Sequence, residues 1–219
     1  MNEISAVIFD LDGVLIDSER VARTAWQQAM LEYGYILTND IYCELIGRRP
    51  FDVDAILRLR YGSAMPLYDI RLRKRCIWED AVMRNGIPVK EGVKEVLDYV
   101  DALRFPFAIA TSSNSLDAME KLKQSMLLCR FSIIVCGDQV PNGKPEPDIY
   151  LEAAERLKTP PSKCLAFEDS EAGFLAAKTA GMATMLIPDL VDWTVLRKPD
   201  ANGILASMID APLAIKGLL

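Results

Sequence analysis

The stretch AVIFDLDGVLIDSE, residues 6–19, carries two carboxylates, Asp10 and Asp12, at the end of an apolar run, followed at once by Gly13. Alone, Asp-x-Asp-Gly is a common turn former. It acquires chemical meaning from its company. Thr111-Ser112-Ser113 closes a second apolar run, Lys144 follows a third within NGKPEPD, and Glu168-Asp169 closes a fourth, KCLAFED. If these ends share one rim of a sheet, Asp10, Asp12, Glu168 and Asp169 converge with a hydroxyl and an ammonium. Carboxylates so close raise one another's pKa until some stay protonated, unless a cation joins them. Oxygen donors without histidine favour magnesium, which keeps several waters and bridges carboxylates to a phosphate. The Thr111 hydroxyl, Lys144 and the cation would hold the non-reacting oxygens of a phosphoryl group, leaving its phosphorus open to in-line attack. Asp10, ionised, would attack. Asp12, carrying a proton beside the bridging oxygen, would donate to the leaving alcohol and later deprotonate water. The two roles conflict, so cation and environment must separate the two pKa values. Gly13 lets the backbone turn tightly beside the phosphate.

The elements that must position these residues follow from hydrophobic periodicity. Short apolar runs at 4–10, 105–111, 131–136, 163–169 and 183–187 read as strands buried on both faces. Between them lie helical repeats: Val93, Val96, Leu97, Val100 and Leu103; then Leu116, Met119, Leu122 and Met126; then Ala153, Ala154 and Leu157. Alternation of this kind predicts an α/β fold with a doubly wound parallel sheet whose ligands bind beyond the C-terminal strand ends. Thr111 to Ser113 could also cap a helix over 114–127, and the two uses are compatible, because a helix N-terminus is itself a phosphate site.

The first two strands are far too distant for a simple crossover. Residues 18–86 hold helical patterns and no convincing strand: Ala22, Trp26, Ala29, Met30 and Tyr33; Ile41 and Leu45 after an N-cap at Thr38; then 51–61 and 67–84. This predicts a core domain of residues 1–17 and 87–219 with an all-helical cap, 18–86, hinged near Asp17–Ser18 and Gly86–Pro88. Arg48 and Arg49 follow Gly47 within the cap, where a second anionic group of a substrate would suit them, although a solvated pair at a helix end explains them equally well. The basic run RLRKR at 71–75 reads as a solvated helix face, and Trp26 and Trp78 read as cap core.

Composition narrows the class. The 219 residues carry a formal net charge of −6, which repels a polyanion, so nucleic acid is not the expected partner. Neither an export signal nor a membrane span is legible, which predicts a cytoplasmic protein, and nothing demands more than a monomer. There is no histidine, so Ser-His-Asp and Cys-His machinery and the common His-ligated zinc sites are excluded. The five cysteines, Cys43, Cys76, Cys129, Cys136 and Cys164, are scattered and form no C-x-x-C pair. Cys43 and Arg49 have the C-x5-R spacing of cysteine phosphatases, but the bulky residues between them cannot form a cradle of amides. GDQVPNGKP misses the P-loop spacing and puts proline where a metal-binding hydroxyl belongs.

The four motifs DLDGV, IATSS, GKPEPD and FEDSEAG, in that order, resemble those of the haloacid dehalogenase superfamily, in the branch that contains β-phosphoglucomutases and small phosphosugar phosphatases. The resemblance covers nearly the whole chain. It implies a magnesium ion held by the Asp10 side chain, the Asp12 carbonyl and Asp169, with Glu168 beside it or acting through water. It further implies hydrolysis of a small phosphorylated metabolite, a sugar phosphate in the first place. A phosphosugar mutase is the alternative within the family, but Ala22 stands where the mutase pattern has a histidine. Halide removal and phosphonate cleavage fit the DLDGV motif less well. Outside the enzymes, a phospho-aspartate signalling module combines similar residues, yet it needs an acceptor aspartate at the end of a middle strand and has no use for a cap.

Overall fold

A computed structural model describes residues 3–190 and 201–219; of the expected core span, 191–200 lie outside the described residues. Strands β1 (Ala6–Phe9), β2 (Phe107–Thr111), β3 (Ile134–Cys136), β4 (Cys164–Glu168), β5 (Ala183–Leu186) and β6 (Gly203–Ile204) form one sheet in the order β3-β2-β1-β4-β5-β6. Every pairing is parallel, so all C-terminal strand ends lie on one rim. β1 occupies the switch point, flanked by β2 on one side and β4 on the other. Residues carried off the ends of β1, β2 and β4 therefore meet in the crevice where α/β sheets bind ligands.

The continuous apolar strands are explained by burial on both faces. Val7 and Phe9 of β1 join one core cluster with Ile109, Phe167 and the inward stripe of α5 (Val93–Ala102). Phe9 stacks on Phe167 with ring centroids 5.4 Å apart. Ala6 and Ile8 point the other way, into a second cluster with α7 (Asp148–Arg156) and α8 (Glu171–Thr179). On the first face α6 (Ser115–Gln124) and the C-terminal α9 (Ala211–Lys216) complete the cover. In α6 the buried residues are Ala118 and Leu122, while Leu116, Met119 and Met126 are exposed. The apolar stripe expected there is thus rotated. The helix turns Lys121 toward the rim, and it ends at Gln124, before Met126.

Between β1 and β2 run α1 (Glu19–Glu32), α2 (Asn39–Cys43), α3 (Pro50–Tyr61) and α4 (Leu67–Asn85). Thr38 caps α2 by accepting from the Ile41 amide, as its position predicts. These helices share a hydrophobic cluster of their own, around Trp26, Met30, Leu57 and Ile70. The two chain segments that join them to the sheet lie side by side. Ile16 pairs antiparallel with Val89, and the Asp17 amide donates to the Pro88 carbonyl at 2.9 Å. Among the described residues no helix is long and apolar enough to cross a membrane.

Candidate active site

Asp10 follows β1 directly, and the pairing of β1 with β4 aligns Phe9 with Phe167, so Asp10 emerges beside Glu168. Lys144 reaches both from the loop before α7. Its Nζ donates to Asp10 Oδ1 at 2.6 Å, to Glu168 Oε1 at 2.5 Å and to the Ala110 carbonyl at 3.0 Å. All three side chains are buried. Ligand oxygens of Asp10, Glu168 and Asp169 lie within 4.8 Å of one another. One ammonium thus pairs with two carboxylates while a third lies beside them, and the balance shows in the acidity of Asp10 and Asp169. Burial, with the charges of Glu168 and Asp12, lifts the Asp10 carboxyl to about 8 despite Lys144. Burial and the charges of Glu168 and Asp10 lift Asp169 well above the aspartate range. Burial opposes the charge on Lys144, but its two carboxylates outweigh it and hold the ammonium protonated.

This surplus of buried negative charge is the observation against which a cation can be tested, and an oxygen-only donor set of this kind fits a hard divalent ion. Glu168 differs from its two neighbours. Its Oε1 accepts from Lys144 and from the Tyr150 hydroxyl at 2.6 Å, and its Oε2 accepts from the amides of Asp169 and Ser170 and from the Ser170 hydroxyl. With so many donors in place it orients Lys144 and the turn into α8. Asp10, Glu168 and Asp169 together form the group of carboxylates that could hold an ion. Gly13 has φ +86°, and a Cβ there would lie 2.0 Å from Asp169 Oδ2. Its positive φ makes the tight turn expected from the sequence, and its lack of a side chain also makes room for Asp169.

Asp12 stands in a different environment. Lys121 Nζ donates to both its oxygens, at 2.7 and 2.8 Å; Ser113 Oγ donates at 2.9 Å, and Ser18 Oγ donates as well. Burial pushes the Asp12 carboxyl up, but Lys121 and the two hydroxyls outweigh it and hold it below the usual range. The chain's own groups thus separate the two acids, with Asp12 below the usual range and Asp10 above it. The reason is Lys121, a residue that the sequence reading did not single out because it lies inside a helix with no motif around it.

Asp10, Asp12, Thr111, Ser112 and Ser113 line one side of a pocket of about 170 Å³ whose other side is built by the helical segment. Thr111 is buried at the end of β2, and its Oγ1 accepts from the Ser113 amide at 3.1 Å. The N-cap of α6 is Asn114, which accepts from the Asp117 amide, so Thr111 to Ser113 are free of the capping role. Ser112 Oγ donates to the Gly47 carbonyl at 2.6 Å and tethers the sheet rim to the α2–α3 turn. Arg48 lines the pocket, whereas Arg49 turns away. The Arg49 guanidinium pairs with Asp52 at 3.1 Å and donates to the Pro141 carbonyl at 3.0 Å, fastening the start of α3 to the loop before Lys144. Arg71 and Lys74 of the basic run also face the pocket, together with Trp26, so that run is not a purely solvated face. Burial pulls the Lys74 ammonium down to about 8. Burial likewise raises the Cys43 thiol, against a role as a reactive thiolate. Ala22 lines the same pocket.

A family model described as haloacid dehalogenase-like hydrolase matches residues 7–187. A phosphorylated carbohydrates phosphatase of Thermotoga maritima is 36% identical over 183 residues, 82% of each chain. A probable pseudouridine-5'-phosphatase of Drosophila melanogaster is 33% identical, covering 96% of this chain and 92% of its own. Among solved structures, a putative β-phosphoglucomutase from Thermotoga maritima superposes with a TM-score of 0.76 at 32% identity, covering 99% of this chain and all of the other. A hydrolase from Pseudomonas syringae reaches 0.85 at 25% identity, covering 97% and 98%. The motifs, the sheet order and these likenesses converge: the chain is an enzyme and belongs to the haloacid dehalogenase-like hydrolase family.

Proposed function

We propose that the protein is a phosphatase that hydrolyses a small phosphorylated metabolite, a sugar phosphate in the first place, with residues 18–86 acting as a cap over the core of residues 1–17 and 87–219. The observation that carries this reading is the placement of Asp10, backed by Lys144, at one wall of a pocket that also contains Asp12 and the Thr111–Ser113 rim. A relative named for phosphorylated carbohydrates supports the substrate class. A magnesium ion would be held by Asp10 and Asp169, with the Asp12 carbonyl, and would supply charge neutralisation for the phosphoryl group.

In the first half-reaction an Asp10 oxygen forms a bond to phosphorus as the ester bond to the alcohol breaks, leaving an aspartyl-phosphate. Thr111, Lys144 and the amides after β2 hold the non-reacting oxygens. Asp12 gives its proton to the departing alkoxide, then takes one from the water that attacks the aspartyl-phosphate, so Asp10 is regenerated and phosphate leaves. Lys121 holds Asp12 ready for the second of these steps. For the first, the negative charge of an entering phosphate raises the affinity of Asp12 for a proton. Closure of the cap excludes bulk water and selects the leaving group, with Arg48, Arg71 and Lys74 on its inner wall. Ala22 offers no acid or base to a second hydroxyl of the substrate, which favours hydrolysis over the mutase alternative.

The test is phosphate release from a panel of phosphorylated sugars and other small metabolites with magnesium, beside Asp10→Asn. Multiple turnovers with at least one sugar phosphate, lost in the variant, are expected. Retention of a single phosphoryl group without turnover would instead indicate a phospho-aspartate signalling module, and isomerised sugar without released phosphate a mutase.

A further inference from the structure

Past β5 the chain continues Ile187-Pro188-Asp189. Glu168 pairs with Leu186 across the parallel β4–β5 ladder, and the Ile187 amide donates to the Glu168 carbonyl at 2.8 Å. Asp169 and Asp189 therefore leave the sheet from the same rim, on neighbouring strands. The Asp189 side chain is fully buried. Its Oδ1 accepts from Lys90 Nζ at 2.7 Å and from Arg20 Nη1 at 2.9 Å. Its Oδ2 is equally buried, yet it has no hydrogen-bond partner among the described residues.

Two cations on one oxygen fix the direction of the Asp189 side chain. They leave the second oxygen without a partner among the described residues, although buried polar atoms are as a rule paired. A donor proton belongs there, and a hydrated divalent ion beside Asp169 carries such protons. We propose that Asp189 is an outer carboxylate of the cation site, its Oδ2 accepting a hydrogen bond from the hydration shell of the ion held by Asp10 and Asp169, with Lys90 and Arg20 as the residues that aim it. The proposal rests on the reading of Asp10 and Asp169 as the cation site. Outer partners of this kind fix ligand orientation, and their loss typically costs 10–100-fold in metal affinity. The aiming residues also have a structural meaning. Arg20 lies in the first turn of α1 and Lys90 just beyond the second connecting segment, so Asp189 ties the ion to both strands that join the helical segment to the sheet.

The experiment measures magnesium binding directly, by isothermal titration calorimetry at fixed pH on the full chain, so that the readout does not depend on turnover. Asp169→Asn is the control for the site itself. Asp189→Asn keeps the shape of the side chain and its contacts at Oδ1 while weakening the acceptor. The expected result is a dissociation constant raised about 10–100-fold in Asp189→Asn, with a melting temperature in EDTA close to that of the native protein. Binding abolished in Asp169→Asn but unchanged in Asp189→Asn overturns the Asp189 proposal alone. Binding unchanged in Asp169→Asn overturns the cation site on which it rests. Should Asp189→Asn fail to fold, Lys90→Met decides: weakened magnesium binding supports the aiming role, and native affinity overturns it.

Discussion

Asp12 is held by three side chains from two distant segments: Ser18 from the start of the helical segment, and Ser113 and Lys121 from α6 and the turn before it. In an ordinary solvent-exposed pair such a lysine would contribute little. Here Asp12 and Lys121 are largely buried, so each depends on the other. The sign of that dependence follows from the direction of the shift. A carboxylate whose folded-state pKa lies below its unfolded value of 3.8 contributes stability that is present above that value and lost as pH falls through the lowered one. Lys121→Met removes the contribution. The variant is therefore expected to lose roughly 1–3 kcal/mol at neutral pH, where Asp12 is left without its cation, and the gap to the native protein should narrow in acid. Denaturant melts at pH 7 and at pH 3 check this; an equal gap at both would show that Lys121 acts through packing alone. The same substitution is expected to lower kcat by about 10–100-fold, less than the ~10²–10⁴ that an acid–base residue such as Asp12 contributes directly.

At the scale of elements, the helical segment meets the sheet rim through very small residues. The turn between α2 and α3 passes Gly47, at φ +76°, with its carbonyl bonded by Ser112 and its Cα so near Ser170 that a Cβ would lie 2.3 Å from the Ser170 hydroxyl. Gly47→Ala cannot keep this approach. It is expected to push the turn off the rim and lower kcat/KM by about tenfold or more, because small misplacements of positioning groups are costly. Helices α1 to α4 keep their own core, so the main thermal transition should stay within a few degrees; steady-state kinetics beside a thermal melt separate the two effects. How much of this was legible beforehand varies with the kind of signal. The strands at 107–111 and 164–168 were readable because burial on both faces leaves an unbroken apolar run, and Thr38 announced α2 through capping chemistry. β6 is two residues long, too short for any periodicity. The stripe proposed for α6 was rotated because Leu116, Met119 and Met126 are exposed, while Lys121, which a helical wheel assigns to solvent, points at Asp12. Asp10, Asp169 and Lys144 could be found from motifs at strand ends. Lys74, Lys121 and Tyr150 could not, since each acquires its role only from elements packed against its own.

For the molecule as a whole, the sheet core buries Asp10, Glu168 and Asp169 close together, with Lys144 paired to the first two, a crowding that costs stability. Its cost depends on pH in a definite direction. With its pKa raised from 3.8 to about 8, Asp10 retains in the folded state a proton that the unfolded chain has lost, and Asp169 is shifted the same way. Between roughly pH 4 and 8 the folded state thus binds more protons than the unfolded one, so stability falls as pH rises. In EDTA the melting temperature is expected to decline from pH 6 to pH 8. Magnesium competes with those protons for the same oxygens, so the rise in melting temperature that it produces should grow over the same interval. Asp10→Asn removes one of the crowded charges and leaves Lys144 paired with Glu168. At pH 8 without metal it is expected to stabilise the fold by roughly 0.5–2 kcal/mol, or about 2–4 °C per kcal/mol for a chain of this size, while losing most of its response to magnesium. Thermal melts of both proteins across that pH range, with and without the ion, test the whole set together. A metal-free melting temperature that stays level or climbs with pH would mean that these carboxylates are not crowded enough to need a cation.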